Sequence, residues 1–296
     1  MKFYIVTPAF NALNWLLCCV RSVADQVAEG VEIHHHVQDG GSTDGTPAWL
    51  QTWQEENQGV QGYSFTFESG KDAGMYDALN KAWAKIPSDA DVTAHLNSDE
   101  QYLPGALKGV AESFQKRLQA DVLIAGFIVV DEEGRYVCHR RPIHPVWWVS
   151  RVSCQIATCA CFHKVETFMR HGIRFDTRFR SIADMVMYRA MVWAGLMFAE
   201  LPELFVSTFT MTGANLAWTE ATQRDHEIFN EEHPSSDSWF NRNVPYRYSG
   251  LLRRIMELFY QAPRTYSIYS GTSRDRVALP ILKPTVHWLS ELPKAD

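Results

Sequence analysis

Asp99 and Glu100 stand side by side, and adjacent like charges are costly unless solvent or a cation compensates them. Magnesium and manganese are hard ions often shared between one or two carboxylates and the phosphates of a substrate, so Mn2+ or Mg2+ suits this pair. Three more polar clusters precede it. Asp39-Gly40-Gly41-Ser42 offers a carboxylate able to accept the imide N–H of a uracil-like base, and Ser69-Gly70-Lys71-Asp72 offers in Lys71 a positive charge for phosphate. Thr7-Pro8-Ala9-Phe10-Asn11 is the first of the set. Glycine and aspartate also serve turns for purely conformational reasons, and that reading weighs most on the Asp39 loop taken alone.

The elements around these clusters give them a common place. Lys2–Val6 reads as a buried strand, and Asn11 as the cap of a helix carrying Leu13, Leu16, Leu17, Val20, Ala24 and Val27 at helical spacing. Val31–Gln38 reads as the next strand, followed by a polar turn and a helix that Pro47 opens. Tyr63, Phe65 and Phe67 alternate with polar residues as a strand does, a helix spans about Met75–Lys85, and Asp91–Leu96 is a further strand. Strand–helix alternation of this kind predicts an α/β fold, Rossmann-like, with a mostly parallel sheet flanked by helices. Each polar cluster follows a strand, so all four converge on the carboxyl edge, where such sheets bind ligands.

The later pattern is less regular. Val122–Val130 reads as a long strand turning at Asp131-Glu132-Glu133-Gly134 into Arg135–His139, Gln155–Cys161 as a strand leading to a helix near Lys164–His171, and another helix begins near Ala183. Asp184 in its first turn has the ordinary reading of a dipole-stabilised cap. Beyond about Thr210 the expectation is a helical C-terminal appendage, with turns at His233-Pro234-Ser235-Ser236 and Ala262-Pro263.

Thr7-Pro8, the run Gln38 to Thr46, and Leu96-Asn97-Ser98-Asp99-Glu100 resemble, in order and spacing, the motifs of family 2 glycosyltransferases with the GT-A fold. Lys71-Asp72-Ala73-Gly74-Met75-Tyr76-Asp77-Ala78-Leu79-Asn80-Lys81 is similar to a bacterial polysaccharide-type branch of that family. The likeness runs over roughly residues 2–200. It implies that Thr7, Pro8 and Asn11 line a nucleotide pocket, that Asp39 holds the base, and that Asp72 with the helix start behind it closes over the nucleotide. It places Asn97-Ser98-Asp99 at the family's D-x-D position, Asp99 touching the metal, with Asn97 in place of the first carboxylate and Glu100 where a second aspartate is common. It implies that Asp184 is the catalytic base. The activity implied is inverting, metal-assisted transfer from a nucleotide-sugar donor, UDP-linked for preference, to a carbohydrate or lipid-linked acceptor in polysaccharide or glycolipid synthesis. Asp39 also suits thymidine, and guanosine stays open. The domains expected are 1–210, a GT-A domain with a nucleotide-binding half (about 1–100) and an acceptor half (about 101–210), and 211–296, the appendage.

Composition narrows the alternatives. A net charge of −6 over 296 residues argues against a nucleic-acid partner. No signal-peptide layout and no apolar run of membrane-spanning length is evident, and the six cysteines suggest buried thiols, so the expectation is a cytoplasmic protein, at the inner face of the membrane if it meets one. Cys154, Cys159 and Cys161 lack the paired spacing of a zinc site. His34-His35-His36 alternate faces of a strand and read as packing. Trp147 and Trp148 are candidates for stacking on a sugar or for the core, and Arg140 and Arg141 read as a solvated strand end. Over 242–296, nine basic residues (Arg242, Arg247, Arg253, Arg254, Arg264, Arg274, Arg276, Lys283, Lys294) face four acidic ones. With the apolar stripe Leu251, Leu252, Ile255, Leu258 and Phe259, this suggests peripheral membrane contact through 242–283, docking on the catalytic domain, or a homo-oligomer. A nucleotidyltransferase would open on a glycine-rich loop with a basic residue, which Thr7–Asn11 lacks. A non-catalytic nucleotide-sugar-binding scaffold is compatible with Asn97 but leaves Asp99 and Asp184 unexplained.

Overall fold

A computed structural model describes residues 1–150, 156–212, 220–232 and 239–287. The chain opens with β1 (Lys2–Ala9), α1 (Leu13–Ala24), β2 (Glu32–Asp39), α2 (Thr46–Glu56), β3 (Tyr63–Ser69), α3 (Met75–Trp83) and β4 (Val92–His95). These strands lie in the order β3-β2-β1-β4, every neighbouring pair parallel. Side chains alternate along β1, so Phe3 and Ile5 join Leu16, Val20 and Leu50 on one face, while Tyr4 and Val6 join Leu79, Trp83 and Phe168 on the other. Both faces are covered, as a parallel sheet requires. The four carboxyl ends therefore share one edge.

The second half adds β5 (Gln101–Tyr102), α4 (Ala106–Lys116), β6 (Val122–Val130), β7 (Tyr136–Arg140), the single turn α5 (Trp147–Ser150), β8 (Cys161–Lys164), α6 (Val165–Arg170), α7 (Ala183–Trp193) and β9 (Phe198–Thr210). β8 is inserted antiparallel between β4 and β6, β9 runs parallel to β6, and β7 and β5 pair antiparallel with β6 and β9. The strand expected over Gln155–Cys161 is displaced. Thr158–Ala160 form a 3-10 turn and the strand begins at Cys161, while Gln155, like Cys154, lies outside the described residues.

The appendage contains α8 (Glu220–Glu232) and α9 (Trp239–Met256), then a two-stranded antiparallel ribbon of β10 (Thr265–Ile268) and β11 (Val277–Pro280), so it is not helical throughout. The His233–Ser236 turn and Lys294 lie outside the described residues. Tyr266 and Ile268 pack with Leu103, Ile128 and Val130 of the larger sheet's layer, and Arg276 makes two bonds to Asp25, at 2.5 and 2.9 Å. Arg141 is no solvated strand end. It is buried, bonds Glu257 at 2.7 Å and Gln261 O at 2.7 Å, and sits over the rings of Phe205 and Tyr260. Arg253 also turns inward, where burial and the nearby Arg140 push it down to about 9. Trp148 stacks at a tilt on Tyr248, which makes it packing, and Trp147 is exposed.

The histidine run divides as its strand dictates. His35 bonds Thr7 Oγ1 on one face, and His34 and His36 share Thr66 Oγ1 on the other. Burial lowers all three imidazoles below their ordinary range.

Candidate active site

A cavity of about 830 Å3 opens at the carboxyl edge of β1–β4. Pro8 and Ala9 line it at the end of β1 and Phe10 just beyond, Gly40 and Gly41 after β2, Lys71 and Asp72 after β3, and Asn97, Ser98 and Asp99 after β4. The start of α3 and the first turn of α7, with Asp184, complete the wall. Thus seven positions singled out in the sequence (Pro8, Lys71, Asp72, Asn97, Ser98, Asp99 and Asp184) face one space, though they come from both halves of the chain.

Three others are placed differently. Thr7 is fully buried below the edge, with its Oγ1 2.9 Å from His35 Nε2. It supports β1 against β2 and does not line the cavity. Asn11 adopts φ 47°, and its Oδ1 accepts the N–H of Thr43 at 2.8 Å, so it ties the first loop to the second. It does not cap α1, whose Leu13 N–H instead donates to Asp44 Oδ2 at 3.0 Å. Asp39 is fully buried, and its carboxylate accepts from Gly41 N at 3.1 Å, Ser42 N at 3.0 Å, and the Ser42 and Ser69 hydroxyls, both at 2.5 Å. Four donors fill the acceptor positions of a carboxylate. Asp39 therefore holds the turn that presents Gly40 and Gly41 to the cavity, and the turn-geometry reading accounts for its contacts. A Cβ on Gly40 would lie 2.9 Å from Asp72 Oδ2 and 3.3 Å from Phe10, so a larger residue there would displace side chains of the cavity wall.

The β3–α3 loop is organised by its own carboxylates. Asp72 Oδ1 accepts the N–H of Gly74 at 2.9 Å, and Asp77 Oδ2 accepts that of Ala73 at 3.0 Å while pairing with Lys81. Gly74, at φ 120°, lets the chain turn abruptly into α3. The start of this helix meets the cavity beside Lys71. Such a terminus favours anions.

Asp99 lines the cavity and Glu100 does not. Burial raises Asp99 to about 6. Glu100 is buried beneath the loop, its Oε2 accepting the Asn97 N–H at 2.8 Å, and burial together with the adjacent Asp99 pushes it well above the carboxylate range. Of the two adjacent carboxylates, Asp99 is therefore the one that meets the cavity, and Glu100 braces the loop from below. Asn97 Oδ1 is buried without a hydrogen-bond partner among the described residues. One desolvated carboxylate and one orphaned amide oxygen in a single loop are hard oxygen donors, a set that fits Mg2+ or Mn2+. No group of three His, Cys, Asp or Glu side chains suited to a metal occurs among the described residues. The described cysteines, Cys18, Cys19, Cys138, Cys159 and Cys161, are free and buried.

On the opposite wall, Asp184 Oδ1 accepts from Tyr76 Oη at 3.4 Å and from Met185 N at 2.8 Å. Burial raises its carboxyl above the usual range. Helix α7 has no side-chain cap of its own. Asp225 of α8 instead holds the turn that leads into it, its Oδ2 accepting the N–H groups of Arg180 at 2.7 Å and Ser181 at 2.6 Å and the Ser181 hydroxyl at 3.0 Å. Phe229 of α8 packs edge-on against Phe179, and Arg178 pairs with Glu232, so the whole helix braces this turn.

Several lining residues escaped the sequence reading. Phe10 sits inside the first cluster yet was not singled out; it is 64% exposed at the cavity mouth. Tyr76 was quoted only as part of a motif. His95, which burial lowers to about 3 and so keeps neutral, reads in sequence as a strand residue. Asp225 lies in a stretch with no recognisable pattern, and nothing in its neighbourhood announces a contact with residues 180–182.

The match to known proteins agrees with this geometry. The profile of glycosyl transferase family 2 covers residues 4–192. No curated protein sequence matches significantly. Among solved structures, S. aureus TarS 1-349 superposes with a TM-score of 0.57 at 16% identity, over 80% of this chain and 67% of that one. A longer TarS structure is covered over only 40% of its length. TarS 1-349 in complex with UDP-GlcNAc gives a TM-score of 0.56 at 15% identity, over 80% and 68% of the two chains. The mannosyltransferase PcManGT from Pyrobaculum calidifontis, in complex with GDP-Man and Mn2+, gives 0.57 at 15% identity, over 86% and 69%. At such identities the structures establish a shared GT-A-type fold. The chain belongs to glycosyl transferase family 2, and it is a glycosyltransferase.

Proposed function

We propose that this enzyme moves a sugar from a UDP-linked donor to an acceptor hydroxyl, with inversion at the anomeric carbon and with Mn2+ or Mg2+ at Asp99. The observation that carries the reading is the confluence of Asp99 and Asp184, from separate halves of the chain, on one cavity together with Lys71 and the start of α3. Residues 1–210 form the catalytic domain in this reading and 211–296 an appendage that braces it. Support for the donor comes from TarS, solved with UDP-GlcNAc, and for the metal from PcManGT, solved with GDP-Man and Mn2+. The acceptor is a carbohydrate or lipid-linked hydroxyl of a surface polysaccharide or glycolipid.

The residues divide the work. Phe10 stacks on the base, and Gly40 and Gly41 let it approach the backbone. Asp72 fixes the loop that carries Lys71, so that the lysine and the N–H groups of α3 hold the diphosphate. Asp99 and Asn97 would hold a divalent cation, which when bound would supply Lewis-acid neutralisation of charge on the leaving diphosphate. Asp184 takes the proton of the acceptor hydroxyl, and Tyr76 aims the carboxylate. A bond forms between the acceptor oxygen and the anomeric carbon as the bond from that carbon to the β-phosphate oxygen breaks. Hydrolysis of a panel of nucleotide sugars tests the donor without an acceptor: UDP-sugars should be consumed fastest, and a clear preference for GDP-sugars would overturn the uridine assignment.

Two results are expected from residues outside the recognised motifs. Phe10→Ala should weaken uridine diphosphate binding by about 1–3 kcal/mol, the usual worth of one base–aromatic stack, nearer the lower end because the ring is exposed. Calorimetry of the folded variant measures it, and unchanged affinity would remove Phe10 from the base site. Asp225→Ala should lower kcat for transfer on the order of 10-fold by loosening the turn that holds Asp184, with donor affinity unchanged. Asp225→Asn, which keeps an acceptor oxygen, should recover part of the loss. Equal damage to donor binding would show instead that α8 merely stabilises the fold.

A further inference from the structure

Helix α9 divides sharply around its axis. Ser249 is buried, while Leu251 and Ile255, with Leu258 at 80% and Phe259 at 77% exposure in the turn beyond, project into solvent. At helical spacing Arg247, Leu251, Arg254, Ile255 and Leu258 lie on one side. The inner side, through Leu252, Met256 and Tyr260, forms one wall of a second cavity of about 710 Å3, distinct from the active site. Its other wall includes Lys116 and Arg117 at the end of α4, and the next residue, Leu118, is 73% exposed. Both rims therefore combine exposed apolar side chains with cations. Of the carboxylates in this groove, Glu200 is engaged by His144, and Glu203 stands exposed. Glu257, the acidic residue nearest the ridge, is turned inward to Arg141.

We infer that this face docks on an anionic lipid surface. Leu258 and Phe259 at the tip enter the headgroup boundary, and Arg247, Arg254, Lys116 and Arg117 meet lipid phosphates. Charge complementarity selects this occupant, because a purely apolar partner would leave those cations desolvated without counter-charge, whereas basic clusters beside an apolar face are attracted to acidic leaflets. Among the described residues no helix is long and apolar enough to cross a membrane, and the contact inferred is a peripheral one made by this face. The inference deepens the proposed function by placing the enzyme where lipid-linked acceptors lie, but its test does not depend on catalysis.

The test is co-sedimentation of the full chain with vesicles of phosphatidylcholine alone, or of phosphatidylcholine mixed with phosphatidylglycerol. Binding should appear on the mixed vesicles only and should weaken with salt. Arg247→Glu with Arg254→Glu should reduce it by about 30-fold or more, from the usual contribution of each cation near an acidic leaflet. Leu258→Ser with Phe259→Ser should reduce it independently. Both pairs should retain wild-type melting and donor hydrolysis, since none of the four residues lines the active-site cavity. Equal binding to both vesicle types, or variants that bind as wild type does, would overturn the inference. So would a wild-type dimer in solution that these substitutions dissociate, because a second copy would then cover the face. Loss of donor hydrolysis in the wild type with vesicle binding intact would instead count against the proposed function alone.

Discussion

Asp184→Asn is expected to lower sugar transfer by roughly 100-fold or more, the usual scale for removing a general base. Asparagine keeps the size of the side chain and an oxygen that can accept from Tyr76 and from the Met185 N–H, so the first turn of α7 should stand. What it cannot do is take a proton. Affinity for uridine diphosphate should barely move, because Lys71, Asp72 and Asp99 lie on loops of the other half of the sheet. The wild-type pH profile provides a second check. Burial favours the neutral form of Asp184 and raises its pKa, so the base is lost as pH falls through a value above the ordinary carboxylate range. Transfer should show an acid limb there, and the residual activity of Asp184→Asn should lack it. A variant that melts early or binds donor poorly would mark Asp184 as a helix-start residue only. The base would then be sought in Asp176 or Glu166, although Asp176 is already engaged by Arg178 and Glu166 by Arg170.

How much of this was legible in the sequence depended on whether a residue's partners were near it in the chain. Strands β1–β4 alternate with helices, β1 reading as a buried apolar run and β3 by its period of two, and chain order alone brings their following loops to one edge. That is why Lys71, Asp72 and Asp99 could be grouped before any coordinates. The orientation of a loop carboxylate was not legible. Turn formation and ligand binding both select aspartate after a strand, and only the positions of Ser42 and Ser69 show Asp39 turned inward. Arg141 misled for a related reason. A charged residue at a strand end is usually solvated, and here Glu257, 116 positions later, buries it. The short strand β8 was misplaced because a strand inserted antiparallel in mid-sheet carries no alternation long enough to fix its ends. Asp225 lay furthest beyond reach, since a carboxylate that holds a turn 43 to 45 residues away leaves no local signature at either partner.

The remaining expectation concerns the metal, and the geometry makes it more specific than the paired carboxylates alone could. Glu100 is withdrawn beneath the loop, so among the described residues Asp99 and Asn97 are what the loop offers the proposed cation, fewer ligands than a hard ion takes. In the proposed reading, phosphate oxygens of the donor would supply the remaining ligands. Metal and nucleotide should therefore each bind weakly alone and tightly together, and linkage requires the two enhancements to be equal. Manganese is expected to tighten uridine diphosphate binding by roughly 5–150-fold, and uridine diphosphate to tighten manganese binding by the same factor. Asp99→Asn replaces the anionic ligand with a neutral one and should abolish most of that mutual enhancement. Metal-free affinity for the nucleotide should hold or rise slightly, because a negative charge facing the diphosphate is removed. Glu100→Gln should leave the enhancement nearly intact, since burial and Asp99 favour the neutral form of Glu100 and glutamine keeps an acceptor for the Asn97 N–H. Calorimetric titrations with and without manganese on the three proteins decide it. If Asp99→Asn keeps the full enhancement, the cation is held elsewhere; if Glu100→Gln loses it, the loop must open to bring Glu100 to the metal.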